Sequence, residues 1–197
     1  MDSRVALDRR KWEELYATGA RPDRSPSAWI VSTLAALPNE LSLLDVAGGS
    51  GRHAVPAAQG GRSVTLVDFV ERAVTRARQR ARIDGVVAEV ARLPFRTASF
   101  GIVLVTNFLA RSLLPVFIDL LAPGGFLLYE TYTTDHQSLV ERGLARGPTS
   151  AEFLLRPGEL RGLVDPLTVV EYWEGEVDDA AGRRCCARLL AQRETAS

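Results

Sequence analysis

The sequence predicts an α/β domain on a largely parallel sheet, and three stretches carry that prediction. Leu43-Leu44-Asp45-Val46 is an apolar run holding an acid; it enters the glycine-rich turn Ala47-Gly48-Gly49-Ser50-Gly51, and Arg52-His53-Ala54 can open a helix. Glycine permits a sharp turn and close approach to a ligand, and the start of a helix offers free N–H groups. Roughly 20 residues on, Ser63 to Asp68 repeats the plan, a short apolar strand ending in an acid, the position from which a carboxylate reaches a ribose. The third stretch, Phe100 to Asn107, is almost continuously apolar, as strands buried on both faces are. The first two together read as the adenosine-binding half of a Rossmann-like sheet.

The remaining elements follow in order. Apolar residues at helical spacing from Val5 through Trp12, Leu15 and Tyr16 predict a helix ending at Gly19, then a proline-bearing loop to Pro26. Ser27 can cap a second helix reaching about Leu37, before Pro38-Asn39. After the first strand (42–46) come a helix over 52–59 closed by Gly60-Gly61, the second strand (63–68), and a helix over 70–83. That helix exposes Arg72, Arg76, Arg78, Arg80 and Arg82, which read as a solvated face. Asp84-Gly85 reads as a turn into strand three (86–90), and residues 91–95 leave no room for a crossover helix. Strand four is 100–107, a helix follows over 112–121, Pro123-Gly124-Gly125 breaks it, and strand five is 126–132. Residues 133–152 read as a long polar loop, the kind of segment that forms lids and substrate loops. A short helix ends near Val164, and 169–177 with 185–192 form a terminal hairpin around Asp178 to Gly182, so one strand runs antiparallel to the others. One domain over 1–197 is expected, with 1–38 as a helical cover and 39–197 as the core.

Composition narrows the function. The chain has 197 residues, 46% hydrophobic and 24% charged, with a formal net charge of +0, so no global field favours nucleic acid or an anionic membrane. No apolar run approaches the roughly 20 residues of a membrane span, and Met1-Asp2-Ser3-Arg4 lacks the apolar core of a signal peptide, so a cytoplasmic location is expected. Cys185 and Cys186 are adjacent; on a strand they point to opposite faces and read as two packed thiols. His53 and His136 are isolated, and no spacing supports a metal-ligand set.

Gly49-Ser50-Gly51-Arg52-His53-Ala54 also fits the dinucleotide fingerprint in its G-x-G-x-x-A form, so the turn alone leaves the cofactor open. Three features favour S-adenosylmethionine over a nicotinamide dinucleotide. Asp45 would repel a pyrophosphate and attract an ammonium. An acid followed by Leu93-Pro94-Phe95 comes after strand three, and a hairpin follows strand five. The order 43–53, 64–68, 89–95, 100–107 and Leu121-Ala122-Pro123-Gly124-Gly125 resembles the class I S-adenosylmethionine-dependent methyltransferases. Asp45 to His53, Asn107-Phe108-Leu109-Ala110-Arg111, Tyr129-Glu130-Thr131 and Leu154-Leu155-Arg156-Pro157-Gly158-Glu159-Leu160 are similar to the bacterial tellurite-resistance-type branch.

The resemblance implies a seven-stranded sheet of order 3-2-1-4-5-7-6 with strand seven antiparallel, helices on both faces and two N-terminal helices. It places Asp45 and the backbone of Ala47, Gly48, Gly49 and Gly51 at the methionine moiety of the cofactor, with His53 in the helix behind. Asp68 would accept the ribose hydroxyls, with Phe69 beside the adenine; Glu89 and Val90 would meet the adenine edge, and Asn107 would sit under the sulfonium side. Three departures stand out: Gly48 replaces a usual cysteine, Glu89 a usual aspartate, and Gly101 a usual aspartate at the start of strand four.

Displacing a methyl group from a sulfonium requires alignment and exclusion of water rather than a fixed catalytic side chain. If the acceptor must lose a proton, Glu130, Tyr132, His136 and Arg156 are the candidates near it, Arg156 as an anchor for an anion. Trp12, Tyr16, Trp29 and the 133–152 segment would cover the acceptor, expected to be a small molecule. Two alternatives stay open: an NAD(P)-dependent oxidoreductase, and a non-catalytic domain of this fold that binds a nucleoside ligand or a protein.

Overall fold

The computed structural model describes residues 3–18 and 25–195, with side chains from residue 10 onward. Two helices, α1 (Ser3–Thr18) and α2 (Ala28–Ala36), precede the sheet. Strand β1 (Leu43–Val46), helix α3 (Ala54–Gln59), β2 (Val64–Asp68), α4 (Glu71–Arg80) and β3 (Asp84–Val87) form the first half. The second half comprises β4 (Phe100–Thr106), α5 (Leu114–Leu120), β5 (Leu121–Tyr132), α6 (Asp135–Glu141), α7 (Glu159–Gly162), β6 (Thr168–Val177) and β7 (Arg184–Gln192). The seven strands lie in the order 3-2-1-4-5-7-6, and β7 runs antiparallel to both β5 and β6. The expected sheet is the observed one.

Alternation along the central strands divides the core between two faces. Leu43, Ile102, Leu104 and Leu128 pack with Ile30, Val55 and Val74 from α2, α3 and α4. Leu44, Val103, Val105 and Leu127 pack on the other side with Phe117 of α5 and Leu160 of α7. Both faces are covered by helices, which is why these strands read as unbroken apolar runs. The strand ends carrying Asp45, Asp68, Thr106 and Tyr132 therefore share one edge of the sheet, where β7 also begins.

Several boundaries differ from the sequence reading. Asp84 and Gly85 are not a turn but the first residues of β3, paired with Thr65 and Leu66. Gly85 is required there by packing: a Cβ would lie 2.5 Å from Val74 Cγ1, so its absence lets α4 close on the strand. Glu89 and Val90 consequently fall beyond β3, in a loop that makes a 3₁₀ turn over Val90–Arg92. Helix α4 is shorter than 70–83, and β5 starts at Leu121, which pairs with Phe100 across an irregularity. Gly101 sits at the register shift between Phe100 and Ile102, where β4 pairs with β5. A Cβ there would lie 2.8 Å from Leu41 Cβ, so glycine makes room for the segment entering β1. Residues 133–152 are not one loop, because α6 folds onto the start of β7 and buries His136 and Leu139. Ser27 does not cap α2 with its side chain; its hydroxyl is spent elsewhere. The predicted helix end at Gly19 lies outside the described residues.

Candidate functional site

The turn after β1 is tight and strained in the way its glycines permit. Ala47, Gly49 and Gly51 have φ of 52°, 57° and 80°, and the Gly48 N–H donates to the Val67 carbonyl at 3.1 Å. Gly48 has no room for the usual cysteine in this arrangement, since a Cβ would fall 2.8 Å from Asp45 Cγ. Asp68 ties the two strand ends together: its carboxylate accepts from the Gly49 N–H and the Val70 N–H, each at 2.9 Å. Asp45 contrasts with it. It is 1% exposed, and neither carboxylate oxygen makes a hydrogen bond of ordinary geometry, the Ala54 N–H acting on it only weakly. Burial pushes its pKa up to about 7, against the opposing charge of Arg52.

Helix α1 covers this turn. The Arg76 guanidinium donates to the Tyr16 carbonyl at 2.9 Å, and the buried Tyr16 ring packs with Val70 and Ala73, flanked by Trp12 and Phe69. The Tyr16 hydroxyl lies directly over Gly49, where any side chain would collide with it. Trp12 and Tyr16 are therefore on the side of β2 and α4, over the glycine turn. Trp29 is elsewhere again: its indole N–H donates to Glu171 at 2.9 Å, and the Arg188 guanidinium lies over its ring.

Beyond the adjoining strands, Val90 is buried and packs into the core with Val67 and Phe100, so it forms a wall rather than an exposed contact. Glu89 is half-buried beside it in the same loop. Asn107 ends β4 with a φ of 52° and donates its N–H to the Glu130 carbonyl at 2.9 Å. The structure thus places Asp45, the glycine turn, Asp68, Phe69, Glu89 and Asn107 along adjoining strand ends.

The other end of this edge is a closed ionic cluster. Glu130, 1% exposed, accepts from Ser27 Oγ at 2.8 Å, Arg184 at 3.1 Å and Arg188 at 2.8 Å. Asp179 in the hairpin turn holds Arg184 from the far side at 2.7 Å. With its oxygens committed, Glu130 is a structural anion and not a free base. The sequence carried one signal of this, a lone acid inside apolar β5 with two arginines on the hairpin strand; Glu130 and Arg188 are register partners.

The histidines are struts as well. His53 Nε2 accepts the Ser27 N–H at 3.1 Å, so its proton sits on Nδ1, which faces Thr106 Oγ1 at 3.4 Å. Burial, with Arg52 and Arg184 nearby, lowers its pKa and keeps it neutral. His53 is therefore committed to holding the entrance of α2 against β4, not to a cofactor. His136 is fully buried, accepts the Cys185 N–H at 3.3 Å and stacks on Tyr132 at 4.4 Å. The Arg156 side chain is 79% exposed and pairs with Glu159, and it is not on the wall of the cavity described below. Burial raises both thiols, Cys186 to about 12, so they are packed, unreactive groups.

Among the catalytic candidates, Tyr132 lines a cavity. That cavity, about 340 Å³, lies between the segment after α6 and the hairpin, walled by Tyr132, Arg146, Arg183 and Arg184. Sequence reading missed these arginines because they converge only when α6 folds onto β7. Arg111 joins two of the quoted motifs: its guanidinium donates to Glu159 at 2.5 Å and 3.0 Å, holding that carboxyl down to about 2. Among the described residues, no helix is long and apolar enough to cross a membrane, and no group of three or more His, Cys, Asp or Glu could hold a metal.

Comparison with known proteins agrees with this geometry. Residues 43–125 match the protein family described as methyltransferase domain. A ribosomal protein L11 methyltransferase from Trichlorobacter lovleyi is 29% identical over 131 residues, 63% of this chain; the chain spans 43% of that protein's length. Among solved structures, a SAM-dependent methyltransferase from Methanosarcina mazei superposes with a TM-score of 0.68 at 19% identity, covering 87% of this chain and all of the other. TehB from Haemophilus influenzae gives 0.67 at 19% identity, covering 85% of this chain and 62% of its own.

Proposed function

We propose, from the premise that residues 43–125 are a methyltransferase domain within a class I sheet, that this chain moves a methyl group from S-adenosylmethionine to a small molecule. The observation that carries the cofactor is Asp45, a buried carboxylate at a glycine turn that makes no hydrogen bond of ordinary geometry. Leaving a buried anion unpaired costs several kcal/mol or more, and an ammonium supplied by a ligand removes that cost. A pyrophosphate at the same place would add to it.

Bound S-adenosylmethionine supplies a methyl carbon on a positively charged sulfur, from which an acceptor's lone pair displaces a neutral thioether. The residues of this chain hold and shield that group. Asp45 takes the ammonium, while Asp68, already oriented by two backbone N–H donors, keeps lone pairs for ribose hydroxyls. Phe69 and Glu89 border the adenine side, with Val90 behind them, and Asn107 stands at the end of β4. Tyr16 and Trp12 exclude water from the turn, which strengthens every charge interaction beneath them.

The cavity of about 340 Å³ supports a small acceptor, with Tyr132 on its wall and arginines that suit a polar or anionic group. The relative of 29% identity carries a protein substrate in its name, which makes a protein acceptor the competing reading. The test is incubation with S-adenosylmethionine labelled in its methyl group, offered separately to a cell extract filtered below about 3 kDa and to ribosomal protein. Label entering the small-molecule fraction supports the proposal. Label entering only ribosomal protein overturns the acceptor, and absence of S-adenosylhomocysteine in both overturns the activity.

A further inference from the structure

Among the described residues, the lining of the cavity beside Tyr132 holds three arginines and no acid. The segment after α6 brings Arg146, and the turn between β6 and β7 brings Arg183 and Arg184. Two of the three are committed. Arg184 donates to Glu130, Asp179 and the Gly182 carbonyl, and Arg183 holds Glu176 at 2.6 Å. Arg146 is exposed and makes no hydrogen bond or ion pair with a described residue. Its backbone is nevertheless anchored. The next residue, Gly147, lies against the fully buried His136 ring, where a Cβ would have no room beside Nε2 and would fall 3.0 Å from Cδ2. His136 in turn stacks on Tyr132 with ring centroids 4.4 Å apart. One buried ring thus sets the Tyr132 wall and the Arg146 wall relative to each other. The rim is open, because Gly143 (φ 69°) and Gly182 (φ 100°) face free space where a side chain would stand.

This cavity is within a small molecule's length of the end of β4. Tyr132 stands two residues beyond Glu130, the register partner of Thr106. With a rise of about 3.3 Å per residue and strands about 4.8 Å apart, the two strand ends are about 8 Å apart at Cα. We propose that the cavity binds an anionic handle of the methyl acceptor, a carboxylate or phosphate, and that Arg146 is the residue that selects it. This rests on the small-acceptor reading above and names the class of acceptor: a small molecule whose anionic group and methylated atom are different parts of it. A free guanidinium holds such a group through two parallel hydrogen bonds, a geometry that lysine does not reproduce. The same contact ties up lone pairs on the oxygens it holds and makes them poor nucleophiles, so the methyl group goes to another atom. That atom's lone pair forms the new bond to carbon while the C–S electron pair stays on sulfur as a neutral thioether. Any proton the atom carried passes to water, and the handle keeps its charge throughout.

Anion exchange tests the class before the acceptor is identified. The filtered cell extract is divided at neutral pH into a pool retained by a strong anion exchanger and an unretained pool. Each is offered to the chain with S-adenosylmethionine labelled in its methyl group. Label should enter the retained pool, and the labelled product should itself remain retained. Arg146→Met should raise the apparent KM for that pool by about 10–100-fold, the value of a charge-assisted pair, with kcat and the affinity for S-adenosylhomocysteine unchanged. Arg146→Lys should recover part of the loss. Label in the unretained pool alone, a product no longer retained, or an unchanged KM in Arg146→Met overturns the assignment and leaves methyl transfer to a small molecule standing. A second readout needs no turnover: inorganic phosphate at constant ionic strength should raise the melting temperature of the unmodified chain and not that of Arg146→Met. An equal response of the two chains overturns the assignment. Label in neither pool overturns both this assignment and the small-acceptor reading.

Discussion

One edge of the sheet buries charge in two opposite ways. At the end of β5 and the start of β7, Glu130, Arg184, Arg188, Asp179 and Ser27 satisfy one another within 3.2 Å. At the end of β1, Asp45 makes no hydrogen bond of ordinary geometry, and the Arg52 charge and the Ala54 N–H only partly offset its burial. Both regions lie beside glycine-bearing turns and both are buried, so burial alone does not mark a binding site. Saturation separates them: a closed cluster holds chain segments together, whereas an open carboxylate is left for a ligand to complete.

The sharpest way to break this comparison is to open the closed cluster. Glu130→Gln leaves two arginines facing a neutral amide and should destabilise the fold by about 3 kcal/mol, read by urea unfolding. Little change would mean that the cluster is as open as the turn. Next in size, Asp68→Ala removes the acceptor of the Gly49 and Val70 N–H groups and should weaken S-adenosylhomocysteine binding by about 2 kcal/mol, or roughly 30-fold. Unchanged affinity would reject its ribose role.

Asp45 should show the reverse of Glu130. Because its pKa rises from 3.8 to about 7, the folded chain holds a proton that the unfolded chain releases between those values. That contribution to stability is complete below about pH 4 and is lost as pH rises through about 7. Asp45→Asn should therefore stabilise the ligand-free chain at pH 8 by about 1–2 kcal/mol and progressively less toward pH 5, as thermal melts across that range would show. A variant that melts lower at pH 8 would contradict an unpaired Asp45. The smallest effect belongs to the cover: Tyr16→Phe removes a hydroxyl over Gly49 and should weaken S-adenosylhomocysteine by only about 1 kcal/mol, with the melting temperature nearly constant.

The strands and the turn were legible because they rest on local rules (strand–glycine–helix spacing, an acid at each strand end, and doubly buried apolar runs), whereas the sheet order followed from the family resemblance. Asp45 and Asp68 stand where that spacing puts them. The sequence did not show that Gly85 belongs to a strand, because the reason is the distant Val74 side chain filling its Cβ position. Nor did it separate Glu130 from Asp45. Both are acids in apolar strands, and only the folded hairpin brings Arg184 and Arg188 to one of them. His136 sat in a segment that reads as polar loop, and only the docking of α6 on β7 buries it.

The cofactor reading is tested most directly by calorimetric titration of the unmodified chain with S-adenosylhomocysteine and, separately, with NADH. Binding of S-adenosylhomocysteine near 1 μM, about −8 kcal/mol, with no heat from NADH, is the predicted result. Binding of NADH alone, or of neither ligand, would contradict it.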